Sequence, residues 1–171
     1  MRALEPWKVL SDTTLLERRW LRLREQHVRL SNGHEIEQFH VVDGPDWAAA
    51  LAITPDDQVV MVRQYRHGTG ELSLELPAGV IEPDEPSEQA AQRELLEETG
   101  YVADSWQPLM VLNPEPARHS NRAHVFVAQG ARLSAQATPE PSEELQIELH
   151  PVKALDSLMR SGRSLTAFTS A

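Results

Sequence analysis

The sequence predicts an α/β fold: a mixed β-sheet covered by a helix on each face, with an antiparallel extension at the N-terminal end. Three observations carry this. Strand-like and helical stretches follow one another as strands, helix, strands, helix. The run 47–53, WAAALAI, is apolar throughout, as a strand buried on both faces must be. The length, 171 residues, suits one core with a small appended element.

Residues 1–45 read as the appendage. Residues 20–30 alternate through Leu21, Leu23 and Val28, Ser31-Asn32-Gly33-His34 supplies a turn, and 36–42 returns as the second strand. A two-stranded ribbon is marginal alone and has to rest on something. The loop Asp43-Gly44-Pro45-Asp46 sets the boundary, giving an extension over 1–45 and a main domain over 46–171.

In the main domain, 47–54 and 59–65 are strands joined by the turn 55–58, and 71–76 is a further strand. Pro77-Ala78-Gly79 then turns the chain into a helix. Pro86 suits its first turn, Asp84 or Ser87 its cap, Ala90, Ala91, Leu95 and Leu96 its apolar stripe, and Gly100 its stop. Strands follow at 106–112 and 123–128, separated by the proline-rich connection 113–121, whose length and composition point to function. An acidic mobile segment over 131–144 leads to a strand at 146–150 and a helix at 151–160, and the tail from Ser161 reads as disordered.

Composition narrows the function classes. There is no cysteine, which excludes disulfides, thiolate metal sites and a cysteine nucleophile. The longest apolar run has seven residues, where a membrane span needs about twenty. The start, MRALEPWKVL, has no apolar signal core, and the expected location is cytoplasmic. A formal charge of -10 argues against nonspecific nucleic-acid binding, yet leaves open a small phosphorylated molecule met by cations inside a site.

Chemistry concentrates in GVIEPDEPSEQAAQRELLEETGY, residues 79–101. Glu94, Glu97 and Glu98 stand at i, i+3 and i+4, so a helix sets them on one face, where they repel unless water screens them or a metal ion joins them. Clustered carboxylates without histidine or cysteine suit a hard cation such as Mg2+.

Gly79, Glu85 and Arg93-Glu94-Leu95-Leu96-Glu97-Glu98-Thr99-Gly100-Tyr101 resemble the Nudix box, G-x5-E-x7-R-E-U-x-E-E-x-G-U with U a bulky apolar residue, Tyr101 being the loosest fit. Seven residue types at about 7% usage each would coincide by chance with a probability on the order of 10^-8 per starting position. The resemblance implies a Nudix-type α/β/α sandwich that hydrolyses a phosphoanhydride with Mg2+, or Mn2+ in its place. It makes Glu94 and Glu98 the principal metal ligands, with Glu97 and the Ala78 carbonyl as further contacts. Arg93 and Glu85 become a structural ion pair.

Beyond the box, VRQYR and ELPAG, with Pro116 fifteen residues after Tyr101, are similar to the ADP-ribose pyrophosphatase and nucleoside diphosphate sugar hydrolase branch. That likeness implies substrate contacts at Arg66, Glu75, Pro116 and Arg122. It also implies a catalytic base on the loop before the last strand, where Glu140, Glu143 and Glu144 are the candidates, Glu143 first and Glu144 second, with Glu97 assisting. Relatives in this branch pair through their N-terminal ribbons, so a homodimer is expected. Ser120-Asn121-Arg122 carries an amide where the branch usually has an acid, which leaves base and sugar open. ADP-ribose ranks first and GDP-mannose-like compounds next. The alternatives are a nucleoside triphosphate or dinucleoside polyphosphate hydrolase, and a catalytically silent nucleotide-binding domain.

Overall fold

The computed structural model describes residues 4–160, so the expectation of a disordered tail from Ser161 lies outside the described residues. Two compact units divide the chain: Met1–Pro45 with Glu115–Asn121, and Asp46–Pro114 with Arg122–Ala171.

The first unit is a three-stranded antiparallel sheet of β1 (Lys8–Arg18), β2 (Leu21–Arg29) and β3 (Glu35–Asp43), in that order. The sequence predicts only the last two. β1 escapes the pattern because register shifts between Val9 and Ser11 and between Thr14 and Leu16 break its alternation, and most of its side chains stay exposed. Between β2 and β3, Gly33 takes φ +91°, the left-handed conformation that the turn needs.

The segment 115–121 belongs with this sheet. Val42 N–H donates to the Arg118 carbonyl at 2.9 Å, and Ser120 N–H donates to the Val42 carbonyl at 3.1 Å. At the end of β3, Asp43 collects Arg24 Nε at 2.6 Å and Nη2 at 3.0 Å, Arg22 Nε at 2.9 Å and Ser120 Oγ at 2.8 Å. Arg24 above all, with Ser120 and Arg22, holds this carboxyl far below the usual aspartate range.

The second unit runs β4 (Trp47–Ile53), β5 (Gln58–Arg66), β6 (Glu71–Glu75), β7 (Ala78–Val80), α1 (Ser87–Thr99), β8 (Tyr101–Val102), β9 (Ser105–Leu112), β10 (Ala123–Gln129), β11 (Arg132–Leu133), β12 (Leu145–Pro151), a 3-10 turn (Val152–Ala154) and α2 (Leu155–Arg160). Its main sheet has the order β12-β5-β4-β10-β9, with β6 added to β5 and β7 to β4. β4 and β10 are parallel and the other pairings antiparallel, which makes the sheet mixed as predicted.

Two local expectations change. Ala78 and Gly79 form strand pairs with Ala49 and Ala48 instead of a turn. Three residues are too few to show a strand period, and the pairing is imposed by β4. At the start of α1, Pro86 is the N-cap in extended conformation and no side chain caps the helix, so neither Asp84 nor Ser87 plays that part. The stop is as expected: Gly100 at φ +74° donates its N–H to the Leu96 carbonyl at 2.8 Å. Leu96 itself stays 38% exposed, off the buried stripe.

β4 decides how closely α1 approaches. Ala48, Ala50 and Ala52 occupy alternate positions on one face, and Ala90, Ala91 and Leu95 of α1 meet that face. Small side chains on both surfaces bring the helix backbone near the sheet. On the opposite face Ala49, Val59, Met61, Leu74, Leu76 and Val125 form a second core, against which Val152, Leu155 and Leu158 rest. The sheet therefore lies between α1 and the C-terminal helical segment. Among the described residues, no helix is long and apolar enough to cross a membrane.

The Asp43 network predicts a pH-dependent stability in the first unit. Its carboxyl is depressed in the fold, so its contribution is full above the ordinary value of 3.8 and fades as pH falls below it. Asp43→Asn should cost about 1–3 kcal/mol at neutral pH. Denaturant titrations should show that gap closing as the pH is lowered through 3.8.

Candidate active site

The second half of α1 carries the three glutamates predicted to act together. Leu95 points into the core and is fully buried, so its flanking positions fall at the border of the buried face. Glu94 and Glu98 are 8% and 3% exposed. Glu97 turns outward, its side chain 46% exposed, so the three carboxylates are not equivalent.

Glu98 accepts the Ala78 N–H at 2.9 Å. The Ala78 N–H is thus engaged with Glu98, while its carbonyl, the atom expected to contact a metal, is a separate group. Glu94 lies over Gly79, where any Cβ would overlap its carboxylate. The glycine of the motif thus leaves room for that carboxylate where it stands, and no left-handed backbone angle is involved.

Arg93 joins these groups to the loop before the helix. Its Nε and Nη2 each reach Glu85 at 2.9 Å, and Nη2 also donates to the Val80 carbonyl at 3.0 Å. The remaining Nη1 donates to Glu94 at 2.6 Å and to Glu97 at 3.2 Å. Glu85 in turn accepts the Glu82 N–H at 3.0 Å, which closes the loop on itself.

Across the sheet, Arg66 near the end of β5 forms a two-pronged pair with Glu75 of β6, Nε to Oε1 at 3.0 Å and Nη2 to Oε2 at 2.6 Å. Glu75 is buried while the Arg66 side chain is 45% exposed. The carboxylate anchors and the guanidinium faces outward. Gln64, which sequence reasoning passed over, also reaches Glu75, at 3.5 Å. The signal was available: Val60, Val62, Gln64 and Arg66 alternate onto one face of β5, and Val60 shares a core with Leu95 of α1.

Burial pushes the Glu98 carboxyl up to about 8, aided by the charges of Glu94 and Glu143 and opposed by the Ala78 N–H and by Arg66. Burial also raises Glu94, against the pull of Arg93. Arg66 is raised chiefly by Glu75, with Glu98 and Glu143 adding to it. Glu94, Glu98, Glu143 and Arg66 therefore share one electrostatic environment. Glu143 is half-buried in a turn, where its Oε2 accepts the Glu140 N–H at 2.9 Å, while Glu144 is exposed.

Pro116 falls in the segment grouped with the first unit. Arg122 is exposed, and its backbone N–H donates to Asp46 Oδ1 at 2.7 Å.

The donor set suits a hard divalent cation. Its atoms are carboxylate oxygens, two of the three groups are buried, and the charge around Glu98 is predominantly negative. Among the described residues, no three acidic or histidine side chains already converge as ligands.

The buried carboxyl predicts a stability cost in metal-free protein. Glu98 is raised in the fold, so the native state binds more protons than the unfolded one between the ordinary value of 4.5 and about 8. Stability must then fall as pH rises across that window, at up to about 1.4 kcal/mol per unit. Glu98→Gln retains an acceptor for the Ala78 N–H and removes the titration. In EDTA its melting temperature should exceed that of the parent at pH 8, with the two converging near pH 4.5.

Comparison with known proteins agrees with this architecture. A family profile described as the NUDIX domain matches residues 44–167, and one described as the nucleoside diphosphate sugar hydrolase N-terminal domain matches residues 7–42. An ADP-ribose pyrophosphatase of Bacillus subtilis is 30% identical over 158 residues, covering 92% of this chain and 84% of that protein. A GDP-mannose pyrophosphatase of Yersinia enterocolitica is 31% identical over 125 residues, covering 67% of this chain and 65% of that protein. The crystal structure of an ADP compounds hydrolase superposes with a TM-score of 0.83 at 24% identity, covering 95% of this chain and 88% of that one, and so shares the fold. With its mixed sheet, its glycine-led acidic helix and a family match over most of its length, the chain belongs to the Nudix family of pyrophosphohydrolases.

Proposed function

We propose that the protein is a Mg2+-dependent hydrolase of the diphosphate linkage in nucleoside diphosphate sugars, with ADP-ribose the first candidate and GDP-mannose-like compounds the next. The observation that carries this reading is the buried pair Glu94 and Glu98 sharing its field with Arg66, a cation anchored from behind by Glu75. The names of the relatives support the same substrate class.

The division of labour follows from the residues. When bound, a divalent cation neutralises charge that develops on the phosphoryl oxygens. Glu94 and Glu98 are its principal holders, and Glu97, more exposed, completes the set from the solvent side. Arg66 presents its outward edge to a diphosphate oxygen while Glu75 fixes its orientation. Glu75 thus serves the substrate through Arg66.

Glu143, rather than Glu144, takes the proton from the attacking water, because Glu143 is half-buried while Glu144 is exposed, and its charge bears on Glu94, Glu98 and Arg66. The water oxygen bonds to phosphorus, and the bond from phosphorus to the bridging oxygen breaks. A nucleoside monophosphate and a sugar phosphate leave, with no covalent enzyme intermediate. Pro116 and Arg122 contribute to selectivity for the rest of the substrate. The protein works as a cytoplasmic homodimer paired through the N-terminal sheet.

Incubation with Mg2+ and a panel of ADP-ribose, GDP-mannose, UDP-glucose, NADH and nucleoside triphosphates, with the phosphorylated products identified, tests the reading. ADP-ribose should yield AMP and a sugar phosphate. Preference for a triphosphate, or no turnover of any compound, would contradict it. Glu143→Gln should lower kcat by about 10²- to 10⁴-fold, the usual range for a lost general base, while Glu144→Gln leaves kcat unchanged. Equal losses in both would remove Glu143 from its role.

A further inference from the structure

The Arg93 guanidinium has an anchored side and a free side. Nε and Nη2 are committed to Glu85 and the Val80 carbonyl, a carboxylate and a backbone oxygen of the loop before the helix. Nη1 alone extends to Glu94 at 2.6 Å and Glu97 at 3.2 Å. Both are carboxylates to which the proposed function gives a divalent cation, and the shorter bond falls on a principal holder. The motif reading makes Arg93 only the structural partner of Glu85. The geometry adds a second set of contacts on the reactive side.

Nη1 and a divalent cation draw on the same two carboxylates and compete for them. The Glu94 oxygen at 2.6 Å from Nη1 is already engaged in a charge-assisted hydrogen bond, and a guanidinium beside a divalent ion repels it. Glu94 has little freedom to turn elsewhere, because it is 8% exposed and lies against Gly79. Glu97 is freer.

We infer that Arg93 is a resident counter-ion of Glu94 and Glu97, which it must surrender when a divalent cation is held, so that the Arg93 contact sets the cation affinity of the site. The inference rests on the reading of Glu94, Glu97 and Glu98 as cation-holding carboxylates. Glu85 then acts as a positioning residue, since its two bonds keep Nε and Nη2 engaged away from Glu94 and Glu97 and leave only Nη1 to them.

Mn2+ titration followed by the electron paramagnetic resonance signal of the free ion tests this without turnover, using the full chain, Arg93→Gln and Glu85→Gln, each checked for folding by its melting curve. Arg93→Gln should bind Mn2+ about tenfold more tightly, roughly the worth of one charge-assisted hydrogen bond. Glu85→Gln should bind more weakly, because the released guanidinium settles on Glu94 and Glu97. A folded Arg93→Gln that binds Mn2+ no better than the parent, or worse, overturns the inference and leaves Arg93 as a scaffold. Where Arg93→Gln does not fold, Glu85→Gln decides, and unchanged or tighter binding by it overturns the inference. A parent chain that binds no Mn2+ removes the cation reading itself, and the inference with it.

Discussion

A carboxylate taken almost wholly out of water organises this protein. Glu98 is 3% exposed and is met by one backbone donor, the Ala78 N–H, while Glu94 and Glu143 add negative charge nearby. A buried carboxyl with so little to offset its charge is costly and survives where function maintains it. Its position depends on the alanine face of β4, which lets α1 approach closely, and on β7, which supplies the donor. Core packing therefore sets where these carboxylates stand: a larger side chain at Ala48 or Ala50 would lift the helix and move them with it.

The same arrangement recurs on the cationic side. Arg66 and Arg93 are each held by a more buried glutamate, Glu75 and Glu85 respectively, and Arg93 keeps an edge turned toward the acidic groups. Exposed pairs of that kind would add little, but a two-pronged pair with one member buried fixes direction as well as charge. Positive edges are thereby set against a negative cluster inside a protein whose total charge is -10. This reconciles an acidic surface with a phosphorylated ligand.

Much of this was legible in the residues. The i, i+3, i+4 spacing, the strand before the glycine and the Gly100 stop are local, and local signals fixed both α1 and the reaction class. The outward turn of Glu97 was not legible, because spacing places three residues on one face without saying where the core begins. β1 was hidden by its bulges, and β7 by its shortness. The second set of Arg93 contacts depends on where the Glu85 loop closes, and the grouping of 115–121 with the N-terminal sheet depends on hydrogen bonds to Val42 and Asp43 far away in sequence. Glu143 and Glu144 are adjacent and chemically identical in the sequence. Only the fold of their loop makes one half-buried and leaves the other exposed.

The account stands on Glu94 and Glu98 holding a divalent cation. Crystals soaked in Mn2+ and measured at the manganese absorption edge test that directly. Anomalous density bounded by the Glu94 and Glu98 carboxylates, with Arg93 Nη1 withdrawn from Glu94, is the predicted result. Density coordinated elsewhere, with Glu98 still engaged only by Ala78 and Glu94 still paired with Arg93, would contradict it.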